Sequence, residues 1–97
     1  MLTHIVCWKY KEETTPEQRQ EHAAKLKDLP RYIPKIESFD LGFDILSLER
    51  SFDLGLVAVF PDRQALDDYT FHPAHQAVAG LGKQLAEKVV SVDFMSS

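Results

Sequence analysis

The stretch Leu2-Thr3-His4-Ile5-Val6-Cys7-Trp8-Lys9-Tyr10, residues 2–10, predicts the first β-strand, because β-branched and aromatic residues dominate it. Successive side chains of a strand point to opposite faces of the sheet. One face of this strand therefore carries His4, Val6, Trp8 and Tyr10, and the other carries Thr3, Ile5, Cys7 and Lys9.

A helix is predicted directly after this strand. Thr15 followed by Pro16 is typical of an N-cap with proline at the first helical position, and Gln18 completes a capping-box pattern. The helix is expected to run to about Leu29. Its buried stripe consists of His22, Leu26 and Leu29.

Three further strands are predicted. One runs from about Ile36 to Leu46, with Gly42 as a possible bulge or close-approach site. The next, Phe52 to Phe60, is apolar on both faces and is therefore expected inside the sheet, covered on both sides. The last runs from Lys88 to Phe94. Alternation places Val90, Val92 and Phe94 on one of its faces and Val89, Ser91 and Asp93 on the other.

Two short helices are predicted between the last two strands. Asp62 caps the first, which ends near Tyr69. His72 and Pro73 begin the second, again with proline at the first helical position. Gly80 and Gly82 are expected to weaken its end, because glycine is a poor helix former.

This order of elements is typical of a ferredoxin-like α+β domain, an antiparallel four-stranded sheet with helices on one face. The second sheet face is expected to be the mostly apolar one formed by His4, Val6, Trp8, Leu54, Leu56, Val89 and Ser91. One chain cannot cover such a face, whereas two copies packed sheet to sheet would enclose it and leave a cavity. By the same alternation, Cys7 is expected in the core on the helix-facing side.

The length of 97 residues predicts a single domain, residues 1–97. A chain of this size hides only roughly 60 to 65% of its surface on folding. The lone Cys7 excludes an internal disulfide, and no Cys/His spacing indicates a metal site. A partner subunit is the remaining source of buried area, so we expect a homodimer.

Charge and hydropathy exclude several function classes. The formal net charge is −4, with acidic and basic residues mixed along the chain, so we expect no nucleic-acid partner. No apolar run is long enough for a membrane span, and the N-terminus enters strand sequence without a signal-peptide pattern. We therefore expect a cytoplasmic protein that does not bind membranes.

Several motifs together resemble the signature of the stress-responsive A/B barrel (Dabb) family, and the match runs nearly end to end. They are His4-Ile5-Val6 with Trp8-Lys9, Ile33-Pro34-Lys35-Ile36, Phe52-Asp53, Asp68-Tyr69-Thr70-Phe71-His72-Pro73-Ala74-His75 and a closing Val89-Val90-Ser91-Val92-Asp93-Phe94. The resemblance implies a dimeric α+β barrel.

The family contains stress-associated proteins and plant polyketide cyclases, and its fold relatives include cofactor-free monooxygenases. The resemblance to the cyclases implies catalytic roles for His4, Tyr69 and His75. This chain departs from the cyclase pattern at Leu54, which replaces a third-strand histidine. It also carries His22 and Ala23 where the cyclase has bulky aromatic residues, so the resemblance implies a different substrate.

These residue types suit acid/base chemistry. The imidazole of His75 can abstract a proton α to a carbonyl, and the Tyr69 hydroxyl can hydrogen-bond the developing oxyanion. Asp93 could hold the other nitrogen of His75 and fix its tautomer. His72 is interpreted as a helix-start residue. The expected substrate-binding residues are Val6, Trp8, His22, Leu54, Leu56 and Asp93.

Two classes of function remain open from the sequence. The first is a cofactor-independent acid/base enzyme, cyclase- or lyase-like, that acts on a small carbonyl compound in an apolar cavity. The alternative is a noncatalytic stress-associated protein, or a cofactor-free monooxygenase. No phosphate-binding loop and no haem or flavin signature indicates a cofactor, so none is expected.

Overall fold

The computed structural model describes residues 1–96, and its elements follow the predicted order. The strands are β1 (Leu2–Tyr10), β2 (Ser38–Phe43), β3 (Leu54–Phe60) and β4 (Ala86–Met95). The helices are α1 (Pro16–Asp28), α2 (Arg63–Phe71) and α3 (Pro73–Leu85), and a short 3-10 helix covers Leu29–Arg31. All strand pairs are antiparallel, in the order β2-β3-β1-β4. The predicted ferredoxin-like α+β fold is confirmed.

The three predicted helix starts are all present. The Thr15 hydroxyl accepts a hydrogen bond from the backbone N–H of Gln18, whose side chain accepts from the Thr15 N–H, which completes the capping box. The Asp62 carboxylate caps α2, and His72 Nδ1 accepts from the Ala74 N–H at the start of α3. At each of these helix starts, a side chain that precedes the helix therefore satisfies one of the free N–H groups.

Both middle strands are shorter than predicted. β2 ends at Phe43, because the following segment makes its own hydrogen bonds: the Asp44 carboxylate accepts from the Ser47 N–H at 2.7 Å. β3 begins at Leu54 rather than Phe52. Gly42 forms no bulge and pairs in regular register, whereas the irregularity of the sheet lies on β1, between Lys9 and Tyr10.

Helix α3 and strand β4 are longer than predicted. α3 continues through Gly80 and Gly82 to Leu85, because Val78 and Leu85 are buried against the rest of the chain. Tertiary packing thus outweighs the cost of about 1 kcal/mol that each glycine imposes on a helix. Within residues 1–96, no helix is long and apolar enough to cross a membrane.

The prediction of which sheet face stays open was wrong. Val6, Trp8, Leu54 and Leu56 are buried within one chain, on the face that the helices cover. The face left open is the opposite one, where Val57 is 42% and Val92 is 53% exposed. Alternation separates the two faces of a strand, but it does not show which one the helices cover.

Two smaller predictions fail with that assignment. β3 is an interior strand, as predicted, but only one of its faces is covered, because Val57 lies on the open side. Cys7 pairs with Gly55 and Val90 on the same open face, and it is half-buried rather than part of the core. The core instead contains Leu2, Val6, Trp8 and Tyr10 of β1 together with the even-numbered residues of β3, and it also includes Tyr69 of α2.

His72 should contribute to stability as an N-cap. Replacing it with Asn, which is also a good cap, should leave the free energy of unfolding nearly unchanged, whereas His72→Ala should lower it by about 1 kcal/mol. Urea denaturation of the three proteins measures this. A loss in His72→Asn as large as in His72→Ala would show that the imidazole has another structural role.

Candidate functional site

A cavity of about 250 Å³ lies between the covered sheet face and the helices of one chain. It is lined by His4, Val6, Trp8, Leu56, Val89 and Ser91 from the strands and by His22, Leu26, Tyr69, Thr70, His75, Val78, Ala79 and Lys83 from the helices. All of these residues belong to one chain, so no second subunit is needed to form the cavity.

Most of the expected site residues line this cavity, and two do not. His4, Tyr69 and His75 lie together, as do the expected wall residues Val6, Trp8, His22 and Leu56. Leu54 is a fully buried core residue outside the cavity. Asp93 is hydrogen-bonded to His4 and does not line the cavity itself.

The rings of His4, Tyr69 and His75 form one cluster. The ring centroids of Tyr69 and His75 are 4.4 Å apart, and those of His4 and Tyr69 are 6.1 Å apart. Tyr69 lies near the end of α2 and His75 in the first turn of α3. His72 separates the two helices, and its extended backbone (ψ 135°) turns the chain so that both side chains reach the cavity.

The hydrogen bonding of His75 defines which nitrogen is free. Its Nδ1 lies 3.0 Å from the Thr70 carbonyl oxygen, and because a carbonyl can only accept, Nδ1 carries the hydrogen. Burial lowers the pKa of His75; the hydrogen bond to Thr70 opposes this shift, and the nearby His4 adds to it. His75 is thus a neutral imidazole at neutral pH, with the lone pair on Nε2.

Asp93 orients His4, not His75 as expected. Its carboxylate accepts a hydrogen bond from His4 Nδ1, because the two residues are direct cross-strand partners of β4 and β1. Alternation had placed Asp93 on the correct face, but its partner depends on the strand register. The carboxylate holds His4 Nδ1 and leaves Nε2 free.

Tyr69 is almost fully buried beneath the two histidines, and its ring also contacts Phe39 and Phe60. Burial raises the pKa of its hydroxyl well above the ordinary value. The hydroxyl therefore stays protonated at neutral pH and is available as a hydrogen-bond donor.

A second polar group in the cavity wall involves a residue that the sequence analysis did not single out for the site. The Tyr10 hydroxyl lies 2.5 Å from His22 Nδ1. Burial raises the pKa of Tyr10 to about 12 and lowers the pKa of His22 to about 4. Tyr10 could have been found from the sequence, because it shares a β1 face with His4 and Trp8. Lys83 and Thr70, which also line the cavity, carried no comparable signal.

Comparison with known proteins agrees with this fold. Residues 2–96 match the family described as Stress responsive A/B Barrel Domain, Dabb. The chain belongs to this family. It is similar to olivetolic acid cyclase from Cannabis sativa, with 25% identity over 96% of this chain and 94% of the cyclase.

Two solved structures resemble the Dabb chain closely. Hydroxynitrile lyase from Passiflora edulis has a TM-score of 0.89 at 18% identity, covering 99% of this chain and 93% of the lyase. A dimeric ferredoxin-like protein of unknown function from Thermobifida fusca has a TM-score of 0.89 at 24% identity, covering 98% of this chain and 90% of that one. At 18% and 24% identity, the similarity to these two structures establishes the fold of the chain.

The buried His22 predicts acid sensitivity. Its folded pKa of about 4 lies below the ordinary 6.5, so between these values the unfolded chain binds a proton that the folded chain does not. The part of the free energy of unfolding that depends on neutral His22 is fully present above pH 6.5. It is lost as the pH falls towards 4 and amounts to on the order of 3 kcal/mol.

His22→Gln should remove this part of the pH dependence. Urea denaturation at pH 7 and at pH 4.5 compares the variant with the wild type, and His75 contributes equally to both proteins. Equal losses in the two proteins would show that His22 is not held neutral by burial.

Proposed function

We propose that this Dabb protein is a cofactor-independent acid/base enzyme that abstracts a proton α to the carbonyl of a small molecule. The observation that carries the proposal is the convergence of His75, Tyr69 and His4 on one largely apolar cavity. Perturbed titratable groups that meet in a cavity are typical of active sites. A protein in which this motif only stabilised the fold would have no need of the cavity.

His75 is the proposed general base. Its Nε2 takes the α proton, and the electron pair of the broken C–H bond forms the enolate. The Thr70 carbonyl keeps the imidazole in the required tautomer and stabilises the imidazolium that forms. Since burial disfavours that charge, the proton is readily returned to the product or to the leaving group.

Tyr69 is the proposed hydrogen-bond donor to the substrate oxygen, and His4 is a second polar group of the site. The protonated Tyr69 hydroxyl donates to the oxygen on which negative charge develops. His4, held at Nδ1 by Asp93, presents the lone pair of Nε2 in the same cluster, where it can accept a hydrogen bond from a hydroxyl of the substrate. In a largely apolar cavity the hydrogen bond from Tyr69 stabilises the enolate more strongly than it would in solvent.

The size and the relatives narrow the substrate class. A cavity of 150 Å³ holds benzene, so about 250 Å³ has room for a single ring with short substituents. The relatives include a cyclase and a lyase by name, and both activities are compatible with acid/base chemistry. The chain differs from the cyclase at three quarters of the aligned positions, so the substrate is proposed as a class only.

Exchange of α protons in D₂O tests the reaction directly. Acetophenone, a single-ring ketone, should exchange its methyl protons faster with the wild-type protein, as measured by NMR. His75→Gln should reduce the catalysed rate by about 100-fold or more, because it removes the base. Tyr69→Phe should reduce it by about 100-fold, because it removes an oxyanion donor. The catalysed rate should rise with pH through the lowered His75 pKa and reach its plateau near neutrality.

His72→Asn is the matched control, because it changes the other histidine of residues 68–75 while preserving the helix cap. It should leave the exchange rate unchanged. Equal rates in wild type and His75→Gln would overturn the proposed base. If the protein consumes oxygen with the ketone and does not catalyse proton exchange, the activity is that of a cofactor-free monooxygenase. If it accelerates neither reaction with any small ketone, the noncatalytic alternative is favoured.

We also propose that the protein works as a homodimer through the open sheet face. That face carries a contiguous group of apolar side chains, Ile5, Cys7, Val57, Val90, Val92 and Phe94. Soluble monomers rarely leave such a patch in water, and a second copy would cover it sheet to sheet. The Thermobifida fusca relative is described as dimeric, which supports this arrangement.

A charge on the open face should break the dimer. Val57→Lys would bury an unpaired ammonium group at the centre of the interface, at a cost of several kcal/mol. Sedimentation at micromolar concentration should show wild-type dimers and monomeric or unfolded Val57→Lys. Phe71→Lys is the control, because Phe71 is exposed on the helical layer, and this variant should stay dimeric. A monomeric wild type would contradict the arrangement.

A further inference from the structure

The cavity has a second polar end, opposite the cluster that includes His75. Lys83 lines this end and is the one lysine, arginine, aspartate or glutamate of the cavity lining. His22 lies deeper at the same end, but a Cβ placed on Gly82 would be only 2.9 Å from its Nε2, so no ligand atom fits between them. That nitrogen is fully buried and has no hydrogen-bond partner in residues 1–96. Lys83 is therefore the polar group of this end that a ligand can reach.

Lys83 lies at the mouth of the cavity. Among the lining residues, the exposed ones are Lys83 of α3 and Val89 and Ser91 of β4. The other lining residues are buried or half-buried, so the cavity opens to solvent between this helix and this strand. The homodimer proposed above packs through the other face of the sheet and leaves this mouth open.

The ammonium group of Lys83 is free to bind an anion. It forms no ion pair and no hydrogen bond with the part of the chain that the structure describes, whereas Lys25, for example, pairs with Glu21. No carboxylate lines the cavity, and the nearby Asp93 is hydrogen-bonded to His4 at the opposite end. An anionic group at the mouth would thus meet one positive charge and no negative charge in the cavity wall.

The spacing between Lys83 and the proposed base suits a single-ring compound. Lys83 follows His75 by eight residues on α3, or about 12 Å along the helix axis. Helical side chains lean towards the N-terminus, so the four-carbon stem of Lys83 extends back over Ala79 by about one helical turn. Apolar residues such as Val78 and Leu56 line the cavity between the two ends. A ring with polar groups at its two opposite ends matches this arrangement.

We propose that Lys83 makes the site selective for a small ketone that carries a carboxylate at the end opposite the reacting carbonyl. The carbonyl would lie at Tyr69 and His75, and the carboxylate would pair with Lys83 at the mouth. Because the mouth is open, the carboxylate keeps part of its hydration, so the pair avoids most of the desolvation cost of a buried ion pair. This inference rests on the proposed function for the identity of the reacting end.

The charge of the whole molecule cannot produce this selectivity. The formal net charge is −4, which disfavours anions in general. A preference for a carboxylate must therefore come from a local positive charge, and at this cavity the lining supplies that charge through Lys83.

Two ketones of matched shape test the inference. 4-Acetylbenzoate carries the carboxylate, and 4-acetylbenzamide carries a neutral group of nearly the same size in its place. NMR titration gives both dissociation constants. The wild type should bind the benzoate about fivefold more tightly than the benzamide, as expected for a partly exposed ion pair. The preference should shrink at high salt, because salt screens exposed charges.

Three variants at one position assign the preference to Lys83. Lys83→Gln should lower the ratio of the two affinities to about one, and Lys83→Arg should keep the benzoate preferred because it keeps the charge. Lys83→Glu should reverse the preference, because like charges repel. Lys27→Gln is the matched control: it changes the net charge by the same amount at an exposed lysine of α1 outside the cavity lining, and it should keep the fivefold ratio.

Intermolecular NOEs give the orientation of the bound 4-acetylbenzoate. Its acetyl methyl protons should show NOEs to the ring of Tyr69, at the reacting end. NOEs from these protons to the methyl groups of Val89 instead would place the ketone at the mouth and overturn the inference.

The outcomes separate this inference from the proposed function. Equal binding of the two ketones to the wild type, or a preference that survives in Lys83→Gln or is lost in Lys27→Gln, overturns the inference even if His75 catalyses proton exchange. A preference that depends on Lys83 and not on Lys27 supports the inference even if neither ketone exchanges its protons, in which case the proposed function alone fails.

Discussion

The structure depends on one constraint: the chain has enough helix to cover one face of its sheet. The helices cover the face of β1 that carries His4, Val6, Trp8 and Tyr10. This packing places the rings of His4, Trp8 and Tyr10 inside the protein, where each polar atom needs a partner. It also leaves the opposite face, with Val57 and Val92, without cover from the chain itself. The candidate site and the candidate interface are consequences of the same packing.

All four histidines have a defined partner at Nδ1, and the partner decides the chemistry left at Nε2. In His4 and His75 that nitrogen donates, to Asp93 and to the Thr70 carbonyl, so Nε2 keeps a lone pair. In His22 and His72 it accepts, from the Tyr10 hydroxyl and from the Ala74 N–H, so in the neutral ring Nε2 carries a hydrogen. The cavity wall therefore offers two lone pairs beside the Tyr69 hydroxyl at one end and the N–H of His22 at the other, although it is mostly apolar.

Local signals in the sequence were sufficient for the elements and for part of the site. Caps such as Thr15 and Asp62 act on the adjacent backbone, so they could be predicted without knowing the fold. The meeting of Tyr69 and His75 depends on the helix break at His72, and that break was predicted. The covered face of β1 and the partner of Asp93 could not be derived in this way. Both depend on how distant elements dock, and strand alternation is equally compatible with either choice.

The polar end of the cavity is also where the chain departs from the most stable solution. Glycine at position 82 costs about 1 kcal/mol of helix stability relative to alanine, and an unpaired buried nitrogen costs about 1–3 kcal/mol. The two costs are linked, because an alanine there would press against the rings of His22 and Trp8. An apolar side chain in place of His22 would remove the unpaired atom but would leave the buried Tyr10 hydroxyl without its partner. A small domain with a total stability of only about 5–15 kcal/mol has little room for such costs. His22 thus satisfies the buried hydroxyl of Tyr10, and glycine at position 82 lets the rings of His22 and Trp8 pack closely on α3.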